Sequence, residues 1–125
     1  MREIKFRGWN VHKKEMDYEV CISQEGSVIS FDYGNYCGTY RTEDFLPLQF
    51  TGLKDKNDKD IYEGDIVRYK DEIDGKTVLF GVVQWERAWW SVDLHYGFLR
   101  EDDIMDDDIE YEVLGNIYEN KELMN

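Results

Sequence analysis

Apolar residues in this chain come in short runs, several alternating with polar ones, and each run stops at turn-forming residues within a few positions. Ile4 to Trp9 is rich in strand-formers and is bounded by Asn10. Tyr18, Val20 and Ile22 alternate with Glu19 and Cys21, which puts three apolar side chains on one strand face. Gln24 to Ser27 turns the chain into a run from Val28 to Phe31, so the pair reads as an N-terminal hairpin. Tyr33 to Tyr40 carries two glycines and three tyrosines and reads as a loop. Thr42 to Leu46 predicts one helical turn with Thr42 as its cap, shortened by Pro47. Strands follow at Leu48 to Thr51, at Ile61–Tyr62, at Ile66 to Tyr69, at Thr77 to Trp85, at Trp89 to Leu94 and at Tyr111 to Tyr118. Polar turns at Asp55 to Asp60 and Glu63 to Asp65 separate the earlier ones, and Glu119 to Met124 predicts a closing helical turn.

About eight short strands, little helix and no alternation of strands with long helices predict a mainly β fold, an antiparallel barrel or sandwich. The 125 residues suit a single domain. Its expected layout is N-terminal strands and a loop over 1–47, a main barrel over 48–120 and a terminal turn over 119–125.

Charge changes this picture most. The chain holds 28 acidic and 15 basic residues, a net charge of −13, which opposes broad binding to phosphate backbones. The charge is also polarised. Residues 1–14 hold Arg2, Lys5, Arg7, Lys13 and Lys14 against Glu3 alone, whereas 101–112 holds acids and no base. Like charges resist packing, so Glu101 to Asp108 reads as a solvated loop. No apolar run approaches the roughly 20 residues that span a bilayer, and the charged, alternating N-terminus lacks a secretory pattern, so the expected address is the cytoplasm. Cys21 and Cys37 are then expected to be free, partly buried thiols.

Motifs with a built-in chemistry are few. The Asp55 to Asp60 turn lacks the glycine and the closing glutamate of a calcium loop, since Asp60 and Ile66 stand there. His12 and His95 have no cysteine at zinc-ligand spacing, and the acids of 101–112 alone do not define a metal site. No nucleophile elbow, phosphate-cradling glycine loop or cysteine–histidine pairing appears, so neither enzyme activity nor a cofactor or metal is expected. Aromatics stand out instead. Trp85, Trp89 and Trp90 lie close together, and adjacent Trp89 and Trp90 on one strand must face opposite ways. With Tyr33, Tyr36 and Tyr40 they form the candidate partner surface.

Four segments carry a resemblance. They are Ile4 to Trp9; Gln49 to Asn57 followed by Ile61 to Val67; Val83 to Trp85; and Glu112 to Asn120. Together they resemble the YopX family of phage and prophage proteins, in which "FRxW", "TGLKDKNGKxIYEGDIV" and "EVIGNIYENPEL" recur in that order. Asp58 stands where the family usually has glycine and Lys121 where it has proline. The resemblance implies a compact SH3-like β-barrel in a bacterial cytoplasm, encoded by phage or prophage, and it assigns no activity. Gly52, Asn57, Tyr62, Gly64, Asp65, Gly115 and Asn116 then read as builders of turns and strands.

The expected function is a non-catalytic binding or accessory module that engages a host or phage protein through its acidic, aromatic surface, with self-association through exposed strand edges as a further expectation. One alternative is a small nucleic-acid-binding barrel that uses Arg2, Lys5, Arg7, Lys13 and Lys14 with aromatics. The other is a small-ligand binder or enzyme with a tryptophan-lined pocket.

Overall fold

The computed structural model describes residues 3–86, 89–96 and 99–124, with 95–96 and 99–103 described through their backbone. The described residues are β-rich and antiparallel throughout. Eleven strands follow in order: β1 (Phe6–Asn10), β2 (Glu15–Ile22), β3 (Val28–Asp32), β4 (Asn35–Tyr40), β5 (Phe45–Lys54), β6 (Asp60–Tyr62), β7 (Asp65–Lys70), β8 (Val78–Glu86), β9 (Trp89–Tyr96), β10 (Leu99–Ile104) and β11 (Glu112–Asn116). A short 3-10 turn, Lys121–Met124, follows as expected. The strands form a six-stranded sheet in the order β4-β3-β2-β1-β5-β6 and a five-stranded sheet in the order β10-β9-β8-β7-β11. The mainly β, antiparallel fold is the one expected, built among the described residues as two sheets with no closed barrel. No helix among the described residues is long and apolar enough to cross a membrane.

The chain divides into two compact units, Met1–Phe50 and Thr51–Asn125. In the first, Trp9, Val28, Phe45, Leu48 and Phe50 are buried. The second has a core of Ile61, Val67, Tyr69, Leu79, Val83, Trp90, Val92, Leu94 and Tyr111. Each fully buried aliphatic or aromatic side chain there contributes roughly 1.5–3 kcal/mol by leaving water. The alternation of strands explains membership. Leu79 and Val83 on β8 face the core with Trp90, Val92 and Leu94 on β9, while Phe80 and Trp89 face away and are exposed. Tyr69 meets Tyr111 edge-on at 4.9 Å, and the Tyr111 hydroxyl accepts the amide of Asp106 at 3.0 Å. The acidic turn is thereby pinned to the core.

Four expectations are corrected. Tyr33 to Tyr40 is not a loop: Tyr33–Gly34 is a two-residue turn, and Asn35–Tyr40 is β4, paired with β3. The helical turn expected over Thr42 to Leu46 is shorter and starts earlier: the amides of Asp44 and Phe45 donate to the Arg41 carbonyl at 3.0 Å, and Phe45 already pairs with Asn10 in β1. Pro47 sits inside β5 opposite Gly8. It is tolerated because three-residue β6 leaves most of β5 with a single strand neighbour. Residues 99–104 of the acidic stretch form β10, an edge strand whose backbone pairs with β9, so a run of acids does not forbid the strand. Finally, Cys21 and Cys37 are free thiols but exposed, not partly buried, because both lie at outward positions of their strands.

The turn at Tyr33 carries strain. Tyr33 (φ 50°) and Gly34 (φ 81°) both have left-handed backbone between paired Asp32 and Asn35. This is the signature of a type I′ hairpin, where asparagine or glycine is the usual first residue. Tyr33 is 92% exposed and gains no packing in return. Tyr33→Asn is therefore expected to stabilise the protein by about 1 kcal/mol, seen as a higher urea midpoint at unchanged slope.

Candidate functional site

The β8–β9 hairpin brings the three nominated tryptophans together. Trp85 pairs with Trp90 and Glu86 with Trp89. Trp90, 8% exposed, closes one end of the core, and its buried indole Nε1 has no hydrogen-bond partner among the described residues. Trp85 stands edge-on against it, with ring centroids 5.0 Å apart and planes at 72°, and remains 47% exposed. Trp89 points to the opposite face and is 42% exposed. Two large indoles thus meet solvent at the end of one hairpin.

Acidic residues follow on the next strand and turn. β10 runs beside β9 and carries Glu101, Asp102 and Asp103, in register with Leu94, Asp93 and Val92. The Met105 amide donates to the Trp90 carbonyl at 3.0 Å, so the turn that follows starts beside the indoles. That turn carries Asp106, Asp107 and Asp108, all well solvated, with one carboxylate oxygen of each within 4.8 Å of the others. Among the described residues these three are the only cluster spaced to hold a cation. They lack a buried donor and are read as an acidic surface.

The basic N-terminus does not assemble into one face. Arg7 is 3% exposed, with its Nη1 3.5 Å from the Tyr18 hydroxyl and its guanidinium 6.0 Å from the Tyr18 ring centre. Lys5 pairs with Glu3 at 2.7 Å and lies over the Phe50 ring. Lys13 and Lys14 are exposed in the β1–β2 turn, and Arg2 lies outside the described residues. Tyr33 and Tyr36 are exposed on the β3–β4 hairpin, whereas Tyr40 is half-buried with its ring 5.0 Å from Phe45. The nominated tyrosines and tryptophans thus fall in different units. Of the histidines, His12 lies 2.9 Å from Asp44, and the side chain of His95 lies outside the described set.

The motif residues build turns, and one of them does more. Gly52 and Gly64 adopt φ of 89° and 88°. Asp58, in the family's glycine position, adopts φ 66°, which an aspartate bears better than most residues. The Tyr62 amide donates to Asp65 Oδ2 at 2.8 Å. The Asn116 side-chain oxygen accepts the amides of Tyr118 and Glu119, while the Asn116 amide donates to Asn120. Gly115 is required because a Cβ there would collide with the Asn120 side chain.

Asp55 is the residue that reading the sequence missed. It is 6% exposed, and its Oδ1 accepts the amides of Asn57 at 2.8 Å and Lys59 at 2.9 Å. Oδ2 accepts the amide of Val113 at 3.0 Å, which links the turn after β5 to β11. The Lys56 amide adds a bond to the Tyr111 carbonyl at 2.8 Å. The aspartate-x-asparagine pattern signals a local turn, but nothing in it announces a partner at 113.

A model of the YopX protein family matches residues 5–125. The chain belongs to the YopX family. Two solved structures resemble it over their full length and its own: protein EF1440 from Enterococcus faecalis, with TM-score 0.67 and 25% identity, and yopX from Bacillus subtilis, with TM-score 0.64 and 18% identity. No curated protein matches. The segments that carry the YopX resemblance, the turn at 52–65 and the strand at 112–120, are the ones tied together here by Asp55 and by the Ile117 amide donating to the Gly64 carbonyl.

This YopX chain also has an open cleft of about 490 Å³ in its second unit, lined by Lys56, Arg68, Lys70, Glu72, Glu110 and Glu112 among others. Glu112 bonds Lys56 at 3.1 Å and also Arg68. Hydrogen bonds from Lys56 and then Arg68 hold its carboxyl below the usual glutamate range. Acids outnumber bases around this cleft, and two of its cations, Lys56 and Arg68, are already engaged by Glu112. Neither this cleft nor the one in the first unit, lined in part by Asp17, Tyr18 and Tyr40, includes a tryptophan.

Proposed function

We propose that this YopX-family protein is a non-catalytic binding module that engages a basic segment of a protein partner through the Trp85–Trp89 corner. One observation carries the reading: two indoles, each nearly half exposed, end the hairpin beside an acidic edge strand and an acidic turn. A solvent-exposed tryptophan gives a large, rigid contact at small entropic cost, and tryptophan and arginine are favoured anchors at interfaces. The surrounding carboxylates steer a Lys- and Arg-rich segment to it and repel acidic competitors. The family's phage and prophage membership makes a host or phage protein in the bacterial cytoplasm the natural partner. A nucleic-acid role is less well supported, because Arg7 is buried and Lys5 already has an acidic partner.

Tryptophan fluorescence titrated with an Arg- and Lys-rich peptide is expected to shift on binding. Affinity should fall as salt rises, and Trp85→Ala or Trp89→Ala should weaken it about tenfold, with Leu123→Ala as an exposed control. Binding that both tryptophan variants leave unchanged would sink the proposal.

A further inference from the structure

Four strands end a sheet here: β4 and β6 in the larger one, β10 and β11 in the smaller. A sheet edge presents a row of unpaired backbone donors and acceptors, and folded proteins guard it with short strands, charge, proline or bulges. β6 is three residues long. β10 carries Glu101, Asp102 and Asp103. β11 carries Glu112 and is broken by a register shift between Val113 and Gly115. β4 differs from all three. Its six residues, Asn35 to Tyr40, include no charge and no proline, in a chain of which 34% is charged. Its single guard is the bulge that leaves Cys37 outside the pairing with β3.

We propose that β4 is the edge on which a second copy of this chain pairs, antiparallel across a twofold axis near Cys37 and Gly38. Charge argues for the occupant. Two chains of net charge −13 repel each other, and they approach at least cost where neither strand carries a charge. The strand is also complementary to itself. About that axis Tyr36 faces Thr39 of the partner subunit and Asn35 faces Tyr40 of the partner subunit, and an aromatic opposite a β-branched residue is a favoured cross-strand pair. An isologous contact of this kind closes after two copies. A second observation comes from the same hairpin: Tyr33 keeps a strained backbone beside β4 while nothing in its own chain covers the ring. Strain held at an exposed position marks a surface shaped for contact.

The proposal is separable from partner binding at the tryptophan corner, because salt acts on the two in opposite directions. Attraction to a basic peptide weakens with salt, whereas pairing of two acidic chains strengthens as their repulsion is screened. Sedimentation equilibrium of the full chain should therefore show a monomer–dimer equilibrium whose dimer fraction rises with added salt. Thr39→Lys, at an exposed position, should weaken association about tenfold or more by replacing the β-branched residue opposite Tyr36 of the partner subunit with a charge on each edge strand, with the far-ultraviolet circular dichroism unchanged. Tyr36→Lys serves as the second variant should the first fail to fold. A short bismaleimide should join two copies of Cys21→Ser through Cys37, and Cys37→Ser should abolish that product. A monomer at every salt concentration, or a dimer that both lysine variants leave intact, would overturn the assignment.

Discussion

Replacing Asp55 with alanine is expected to cost about 3 kcal/mol and to loosen the second unit more than any other side-chain deletion in the family motif. The reason is arithmetic on donors. The amides of Asn57, Lys59 and Val113 all end on this one carboxylate, which is almost wholly buried. Removing it leaves three part-buried amides without their acceptor, at about 1 kcal/mol each. Asp55→Asn should cost less, since Oδ1 persists, but it places an NH2 group against the Val113 amide. Burial by itself raises the Asp55 carboxyl, yet the hydrogen bonds from Val113, Lys59 and Asn57 and the charge of Lys59 outweigh it and hold it below 3.8. The unfolded chain therefore binds this proton more readily than the folded one. The stabilisation is complete above the ordinary carboxylate value and is lost as pH falls through the depressed folded value. Urea titrations from neutral to acid pH should show wild type and Asp55→Asn converging in stability at the acid end. A constant gap across that range would mean the carboxylate's charge plays no part.

Gly81→Ala should be about as damaging, by roughly 3 kcal/mol, for a reason unrelated to hydrogen bonding. Gly81 lies mid-strand in β8, opposite Val67 on β7 and Leu94 on β9. A Cβ there would run into the Asp93 carbonyl oxygen, with the carbonyl carbon at 2.8 Å and Val92 Cγ1 at 2.9 Å. The obstacle is backbone, so relief requires β8 and β9 to separate. Gly26→Ala offers the comparison. It sits at φ 91° with open space around it, so its cost should be backbone strain alone, about 1 kcal/mol. Equal losses for the two, read from urea midpoints, would refute the steric account.

What sequence could and could not reveal divides along physical lines. The strand at Thr77 to Trp85 and the opposed faces of Trp89 and Trp90 were legible because side-chain alternation is a local property. The turn around Asp58, which takes φ 66°, was legible for the same reason, from its run of polar turn-formers. β4 was hidden because Gly34 and Gly38 look alike in sequence. The first sits in the turn with left-handed backbone, while the second lies within the strand, where a Cβ would come 2.9 Å from the Tyr40 hydroxyl. β10 was hidden because charge was read as a bar to structure, whereas an edge strand needs only a neighbour for its backbone. The separation of the tryptophans from the tyrosines, and the burial of Arg7, depend on pairings between distant segments and leave no local trace. Asp55 is the sharpest case: its turn was plain, and its reach to Val113 was not.

That reach sets an order of events during synthesis. Asp55 is made early, but the amide that completes its set belongs to residue 113, and β11 is the last of the described strands to leave the ribosome. Until then β7 has an open side, and the carboxylate at 55 waits in a half-built pocket. The first unit has all its strand partners up to Phe50 well before that moment. A nascent chain stalled near residue 110 should therefore carry a formed first unit and a protease-sensitive second one. Premature termination there should yield a fragment that the cell's quality control removes.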